Sequence, residues 1–299
     1  MNFVATLISS PEARALDQSA LAIAAALLPG AIAASQWLDP AIAADIPFNA
    51  GEDTDRRAVA TAIRVALGDR PLDVIVQPIA DRRKALLLAD MDSTMIGQEC
   101  IDELADFVGL KAGVAAITEA AMRGDLVFED ALRERVALLK DLPVTIVETV
   151  LAERIRVTSG ARTLVMTMRA HGAYTCLVSG GFRVFTGPVA AMIGFDEDRS
   201  NNLLVDRDAF SGLVAEPIFG REGKHHTLIE QTRRLGLRPT QTMAVGDGAN
   251  DLSMIEAAGL GVAYHAKPKV RAAAAAQIDH GDLTALLYAQ GYRRDQFVD

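Results

Sequence analysis

The 299-residue sequence is poor in cysteine and in aromatic residues. Its two cysteines, Cys100 and Cys176, are too few for a disulfide framework, so we expect reduced thiols and an intracellular, cytoplasmic protein. Aromatic residues make up 5% of the chain, yet 50% of all residues are apolar. This composition excludes low-complexity disorder and is enough for two globular domains.

The chain also lacks any stretch rich in lysine and arginine. Its 30 Lys and Arg residues against 39 Asp and Glu residues give a formal net charge of −9. This balance argues against nucleic-acid and anionic-membrane partners, because binding many phosphate groups requires concentrated positive charge. If the protein handles a phosphorylated small molecule, positive charge must be concentrated locally or supplied by a metal ion.

One apolar segment near the N-terminus, residues 20–34, is too short to span a membrane. A spanning helix needs roughly 20 apolar residues. Pro29 and Gly30 interrupt this segment, and acidic Asp17 rather than a basic run precedes it. We therefore expect a buried helix that ends in a turn, and no membrane partner.

The first 82 residues show a succession of short strand and helix patterns. Their order, βαββαβ, predicts a small domain whose topology is similar to that of the ACT domains, which often bind amino acids. No polar cluster in this stretch indicates a site, so serine binding and a purely structural or dimerising role stay open as alternatives. The predicted elements cover residues 4–9, 11–28, 32–38, 43–48, 54–67 and 72–78.

The second predicted domain, residues 83–299, begins within a short charged linker at 81–84 and shows a different pattern. Apolar runs suited to strands buried on both faces alternate with helical patterns, which predicts a doubly wound parallel α/β sheet. Between the first two strands, roughly residues 98–160, the pattern is mostly helical and predicts an inserted cap. A hairpin is expected at 201–215. The predicted strands cover residues 84–89, 174–178, 242–245 and 261–264, and the helices 161–171, 224–235, 251–258 and 267–277.

Two aspartates stand at the carboxyl end of the first predicted core strand, in residues 90–94 (DMDST). This edge of an open α/β sheet is where ligands bind. One carboxylate there, Asp90, can attack a phosphorus atom and form an acyl phosphate. The second, Asp92, can protonate the leaving oxygen and then activate water. On these residues alone, an ordinary polar turn and helix cap explains the segment equally well.

A second group of polar residues follows another predicted strand, in residues 246–251 (GDGAND). The glycines permit a tight turn, and Asp247, Asn250 and Asp251 offer oxygen atoms that suit a hard cation such as Mg²⁺. A dinucleotide fingerprint is disfavoured, because its third glycine would fall on Asp251. The alternative is a strand-to-helix turn capped by its own side chains.

Two weaker signals lie between these segments. Ser179 and Gly180 follow the second predicted strand and offer a hydroxyl group and unencumbered N–H groups to an anion. Lys224 opens a predicted helix but lacks the spacing of a Walker A loop. Taken separately, the first is an ordinary loop and the second a solvated side chain.

The order of these segments resembles the haloacid dehalogenase-like (HAD) phosphohydrolase superfamily. An Asp-x-Asp-x-Thr strand end is followed by a helical insertion, a Ser-Gly strand end, a lysine and a Gly-Asp-Gly-x-Asn-Asp strand end. Within the superfamily, the segments most similar to the phosphoserine phosphatase family are residues 90–104, 131–139 and 246–251. The resemblance covers residues 84–290, and some bacterial members carry an N-terminal ACT-like domain.

The resemblance implies a role for each core residue. Asp90 would be the nucleophile, and Asp92 the general acid and base whose backbone carbonyl also helps to hold Mg²⁺. Asp247 and a carboxylate oxygen of Asp90 would complete the metal ligands, with Asn250 and Asp251 supporting the metal's water molecules. The phosphoryl oxygens would be held by Ser179, Gly180, Lys224 and Asn250.

In the cap, the resemblance implies residues that select the substrate. Glu99 would bind the ammonium group of phosphoserine, and Arg135 its carboxylate through a bidentate contact. Met122 and Phe128 would shield the site from water. From the residues alone, the more ordinary explanations are that Glu99 is an N-terminal helix charge and that Arg135 belongs to a solvated helix face.

The function implied by the resemblance is Mg²⁺-dependent hydrolysis of O-phospho-L-serine to serine and phosphate, the last step of serine biosynthesis, through an aspartyl phosphate. One alternative is transfer of the phosphoryl group to an alcohol such as homoserine. Others are a HAD phosphatase for another small phosphomonoester and a serine-sensing regulatory protein with a degenerate core. The resemblance to this family also implies a homodimer that forms through the N-terminal domain or the cap.

Overall fold

The computed structural model describes residues 1–123 and 125–299, and for residues 119–123 it describes the backbone alone. Its first part has the predicted βαββαβ order. The elements are β1 (Phe3–Ser9), α1 (Gln18–Leu27), β2 (Gln36–Asp39), β3 (Ala43–Phe48), α2 (Arg56–Leu67) and β4 (Leu72–Pro78).

These strands form one antiparallel sheet in the order β2-β3-β1-β4. Because successive side chains of a strand point to opposite faces, β1 contributes to two cores. Phe3, Ala5 and Leu7 pack with the two helices. Ile8, together with Ile75 of β4, belongs instead to the core of the second part of the chain. The sheet is therefore covered on both faces.

The second part holds a larger sheet and the predicted insertion. In chain order its elements are β5 (Leu86–Asp90), α3 (Cys100–Phe107), α4 (Lys111–Arg123), α5 (Phe128–Ala137), α6 (Ile146–Glu153), α7 (Ala161–Ala170), β6 (Tyr174–Phe182), α8 (Arg183–Ile193), β7 (Glu197–Asn201), β8 (Leu203–Asp206), β9 (Ala209–Val214), α9 (Arg221–Arg234), β10 (Thr242–Gly246), α10 (Leu252–Ala257), β11 (Leu260–Tyr264), α11 (Pro268–Ala273), β12 (Ala276–Ile278) and α12 (Ala285–Ala289).

The larger sheet is parallel, six-stranded and ordered β12-β11-β10-β5-β6-β7. Its central strands are fully buried, as apolar runs covered by helices on both faces must be. The doubly wound α/β fold class is confirmed. Helices α3 to α6 lie between β5 and β6, where the helical insertion was expected.

The predicted hairpin is formed by β8 and β9 and contacts the cap. The N–H of Asp141 donates to the carbonyl of Phe210 at 2.9 Å, and the N–H of Phe210 donates to the carbonyl of Leu142 at 2.9 Å. These bonds join the loop after α5 to β9. The cap is thus attached to the core both through its two chain connections and through this hairpin.

Several predicted elements are wrong in their bounds, among them β6, which continues to Phe182, and α9, which begins at Arg221. The helix expected at 11–28 begins only at Gln18, because the Asp17 carboxylate accepts the N–H of Ala20 and caps it there. The strand expected at 32–38 starts at Gln36. The helix expected at 267–277 ends at Ala273, and the alanine-rich segment after it forms β12, which pairs with β11.

The charged segment at 81–84 is not a solvated linker. Lys84 is buried, and its ammonium group donates to the carbonyls of Asp81 at 2.7 Å and Thr240 at 2.8 Å. Cys100 and Cys176 are both buried and unpaired with each other. No helix among the described residues is long and apolar enough to cross a membrane.

Candidate active site

The carboxyl ends of three neighbouring strands bring the motif residues to one edge of the sheet. Asp90, the last residue of β5, pairs with Val178 of β6, so Ser179 lies one residue beyond it. On the other side, Val245 of β10 pairs with Ala89, so Gly246 lies level with Asp90. Segments that are distant in the sequence therefore meet there, as the parallel arrangement predicts.

Lys224 joins two buried carboxylates in this cluster. Its Nζ lies 2.6 Å from Asp90 Oδ1 and 2.7 Å from Asp251 Oδ1, and the side chains of Lys224 and Asp251 are fully buried. Burial alone would lower the pKa of Lys224, but the charges of Asp251 and Asp90 outweigh it and raise the pKa. Lys224 therefore stays cationic at the centre of the acidic site.

Burial also raises the pKa of Asp90 well above its usual range, and the nearby Asp251 charge adds to this effect. Lys224 opposes the rise. The Asp90 Oδ1 atom accepts a second hydrogen bond, from the N–H of Met91 at 2.8 Å. Two donors on one oxygen fix the orientation of this carboxylate at the strand end.

Three carboxylates could hold a metal ion at this edge. Asp90, Asp247 and Asp251 each offer an oxygen atom, and these atoms all lie within 4.8 Å of one another. Burial, followed by the Asp251 charge, raises the pKa of Asp247 to about 6. Carboxylates this close repel each other, and a hard divalent cation with oxygen ligands would relieve the repulsion. The donor set therefore fits such an ion.

Gly246, the last residue of β10, is required for the geometry of the loop that follows it. A Cβ atom at Gly246 would lie 2.4 Å from the Asp251 carboxyl carbon, which is closer than any side chain allows. The N–H of Gly248 donates to Asp251 Oδ2 at 3.0 Å. The loop thus folds back so that Asp251, on the turn before α10, reaches both the metal-binding group and Lys224.

Asp92 faces the Ser179 loop across the site. Its Oδ1 accepts the N–H of Cys100 at 3.0 Å, and its Oδ2 accepts the Ser179 hydroxyl at 3.3 Å. Burial, followed by the charge of Glu99, raises the pKa of Asp92 to about 6. A carboxyl group with such a pKa can both give and take a proton near neutral pH.

A cavity of about 710 Å³ opens between this edge and the cap. Its wall includes Asp90, Asp92, Ser179 and Asp247 from the core and Glu99, Phe128 and Arg135 from the cap side. Glu99 Oε1 accepts the Ser93 hydroxyl at 2.7 Å, and Arg135 Nε donates to the Ala131 carbonyl at 3.2 Å. Asn250 and Gly180 also line the cavity. Two acidic groups, Glu99 and Glu129, and one basic group, Arg135, therefore line the cavity from the cap side, opposite the carboxylate cluster.

The side chain of Met122, predicted to shield the site, lies outside the described residues. Phe128 packs against two glycines: Cβ atoms placed at Gly180 and Gly220 would lie 3.2 Å and 3.0 Å from its ring. The predicted site residues with described side chains therefore all line the cavity or contact a residue that does.

Sequence reasoning missed several residues that line or support the cavity. Thr94 donates to Asp247 Oδ1 at 3.2 Å, and it could have been found because it closes the DMDST motif. Lys267 lies at the cavity and follows β11, another strand that ends at this edge; its charge opposes the rise in the pKa of Asp247. Thr118 Oγ1 is buried with no hydrogen-bond partner among the described residues, and no sequence signal marks it.

The doubly wound α/β fold and the carboxylates at its edge are those of a hydrolase that works by phosphoryl transfer, and comparison with known proteins agrees. The model of the haloacid dehalogenase-like hydrolase family matches residues 87–256. The chain belongs to this family, and the resemblance noted in the sequence is confirmed.

Within the family, the chain is similar to proteins that are named phosphoserine phosphatase. One, from Polaromonas sp. (strain JS666 / ATCC BAA-500), is 46% identical over 207 residues, which cover 68% of this chain and 88% of that protein. The crystal structure of a probable phosphoserine phosphatase from Vibrio cholerae has a TM-score of 0.77 at 30% identity and covers 99% of this chain and 88% of that chain. A HAD family hydrolase from Salmonella enterica subsp. enterica serovar Typhi has a TM-score of 0.84 at 27% identity, covering 99% of both chains. The last two similarities include the N-terminal sheet.

Proposed function

We propose that this protein is a Mg²⁺-dependent phosphatase that hydrolyses O-phospho-L-serine to L-serine and phosphate. One observation carries the proposal: a single cavity has Asp90 at its base and Glu99 and Arg135 on its cap side, and the buried Lys224 lies 2.6 Å behind the Asp90 carboxylate. A zwitterionic phosphomonoester needs these groups in this arrangement, with a nucleophile at the phosphate and one charge of each sign at the amino acid.

The first step is attack by an Asp90 carboxylate oxygen on phosphorus. The bond from phosphorus to the serine oxygen breaks, and an aspartyl phosphate forms. Lys224, held 2.6 Å from Asp90, offsets the negative charge of the phosphoryl oxygens. The hydroxyl of Ser179 and the backbone N–H groups of the loop after it bind the same oxygens.

Asp92 moves the protons in both steps. Protonated, it gives its proton to the departing serine oxygen; ionised, it takes a proton from the water that attacks the aspartyl phosphate. The bond from phosphorus to the Asp90 oxygen then breaks, which releases phosphate and restores Asp90. A pKa near 6, raised first by burial, suits both tasks. The N–H of Cys100, which donates to Asp92 Oδ1 at 3.0 Å, orients the carboxyl group.

Mg²⁺ is the cation we propose for the Asp90, Asp247 and Asp251 oxygens. Bound there, it would neutralise charge on the phosphoryl group during transfer. The carboxylate oxygens are the ligand type that Mg²⁺ prefers. The geometry favours Asp251 as one of the three clustered carboxylates, in addition to the supporting role that the resemblance implied.

Specificity for the amino-acid part of the substrate lies in the cap. Glu99 pairs with the ammonium group and Arg135 with the carboxylate, and Phe128 limits the access of water to the cavity. A phosphomonoester without these charges loses both pairings. We therefore expect strong selection for phosphoserine over simple alkyl phosphates.

The test is release of inorganic phosphate from O-phospho-L-serine by the purified full-length chain, with Mg²⁺ and after chelation with EDTA. We expect turnover only with the metal, at least about a 1,000-fold loss in Asp90→Asn, and no change in Asp69→Asn, an exposed aspartate between α2 and β4 that does not line the cavity. Adding homoserine separates the alternatives, because a phosphotransferase would form a phosphorylated acceptor. No phosphate release, or full activity of Asp90→Asn, contradicts the proposal.

A further inference from the structure

Asn201 is a buried amide side chain that the motifs do not include. It is the last residue of β7, is 2% exposed, and lies next to Phe182 of β6 in the sheet. Its Nδ2 donates to the carbonyl of Gly180 at 2.9 Å and to the carbonyl of Phe219 at 2.8 Å. Its Oδ1 accepts the N–H of Phe219 at 2.6 Å. One side chain thus joins two backbone segments: the irregular end of β6, called the Gly180 loop below, and the connection between β9 and α9, called the Phe219 loop.

Both loops carry groups of the proposed phosphate site. Gly180 follows Ser179, whose hydroxyl contacts Asp92. Phe219 precedes Gly220, whose carbonyl accepts the N–H of Lys224 at 3.1 Å in the first turn of α9. A shift of either loop would therefore move a phosphate-binding group.

The two loops also form the surface on which the cap residue Phe128 rests. Gly180 and Gly220 each present bare backbone to the ring, and a Cβ atom on either would lie within 3.2 Å of it. The ring fits only while the spacing between the loops is kept. Asn201 bonds to both sides of this gap.

We infer that Asn201 is a positioning residue for this reaction: it sets the spacing between the Gly180 and Phe219 loops, and so holds both the phosphate-binding groups and the seat of Phe128. The inference rests on the proposed function. An amide of this length is required, because two carbonyls need two donors and one N–H needs an acceptor. Aspartate offers the acceptor without the donors, and alanine offers neither.

The test is a double-mutant cycle on kcat/KM for O-phospho-L-serine with Mg²⁺, measured for wild type, Asn201→Ala, Phe128→Ala and the double variant. We expect Asn201→Ala to lower kcat/KM at least about tenfold, and to lower it by a smaller factor when Phe128 is already alanine, because the part of the loss that comes from the seat of Phe128 is then already present. A purely structural role would give the same loss in both backgrounds. Asn202→Ala, a change at the adjacent exposed asparagine, is the matched control and should keep wild-type kcat/KM.

If Asn201→Ala does not fold, Asn201→Asp replaces it, because the aspartate keeps the side-chain shape and the acceptor for Phe219. We expect the same loss from it, since two carbonyls then face a carboxylate oxygen. Wild-type kcat/KM in either variant, or equal losses in both backgrounds, overturns the role of Asn201. A wild-type protein that releases no phosphate overturns the proposed function instead, so the two failures are distinguishable.

Discussion

Replacing Arg82 with methionine should destabilise the whole molecule, because Arg82 links the N-terminal sheet to the catalytic part. Its guanidinium lies 2.6 Å from Asp45 Oδ2, and the two side chains are 13% and 7% exposed. It also donates to the Thr6 hydroxyl at 2.8 Å, and across the interface to the carbonyls of Ala289 at 2.7 Å and Tyr288 at 3.1 Å. Methionine fills a similar volume but satisfies none of these acceptors.

The size of the effect follows from what Arg82→Met leaves behind. Asp45 would remain a buried carboxylate without its cation, a situation that costs about 3–5 kcal/mol in comparable buried pairs. For a chain of 299 residues, that loss corresponds to a melting temperature lower by about 5–8 °C. Adding Asp45→Asn should recover part of the loss, because the uncompensated charge is then gone.

Calorimetric melting of the full chain measures this effect. Arg83→Met is the matched control: Arg83 is exposed, and its guanidinium lies over the Tyr292 ring at 4.2 Å and bonds to Gln296 at 3.2 Å. We expect it to cost less than about 1 kcal/mol. If Arg82→Met melts within about 1 °C of Arg83→Met, the buried pair does not stabilise the interface and the reasoning is refuted.

Two further predictions concern Gly220 and Lys84. Gly220→Ala would place a Cβ 3.0 Å from the Phe128 ring; we expect KM for phosphoserine to rise about 3–10-fold, and the rise to vanish in a Phe128→Ala background. Burial lowers the pKa of Lys84 from 10.5 to about 8. The folded chain then binds fewer protons than the unfolded chain between these values, so wild type should gain stability relative to Lys84→Met as pH rises from about 8 to 10.5. Urea midpoints of both proteins measure this gain, and a constant difference contradicts it.

The sequence predicts best the elements whose apolar pattern is strong and whose ends are marked. Strands β3 and β4 have the expected bounds, and the central strands of the large sheet are where their apolar runs lie. Strand β7, by contrast, has the sequence EDRSN and no apolar signal. Its place beside β6 depends on tertiary contacts, such as the pairing of Arg199 with Glu230 at 2.6 Å. A polar strand stabilised in this way cannot be found from hydrophobic periodicity.

The same distinction holds for the candidate site. Strand-end motifs are predictable because a parallel sheet brings its carboxyl ends to one edge, whichever residues separate them in the chain. Contacts made by a helix or by the cap are not predictable in this way. The approach of Lys224 to Asp251 and the seating of Phe128 on Gly220 depend on how α9 and the cap pack. Asn201 was missed for a related reason, since it ends the polar strand that has no sequence signal.

The N-terminal domain, proposed to comprise residues 1–82, is bound to the catalytic part by its own sheet. Asp73 of β4 accepts the N–H groups of Asp279 at 2.7 Å and Gly281 at 2.8 Å, and Gln77 donates to the Ala289 carbonyl at 2.6 Å. Tyr288 donates to Asp39 at 2.7 Å.

Because the other face of the sheet carries α1 and α2, the part of the sheet left for a ligand or a second subunit is the edge of β2 or of β4. Serine binding and dimerisation by this domain therefore stay predictions that concern these edges. A fragment of residues 1–82 would expose Ile8, Ile42 and Ile75, which are buried against the catalytic part. Serine titration is consequently informative only on the full chain, where these residues are covered.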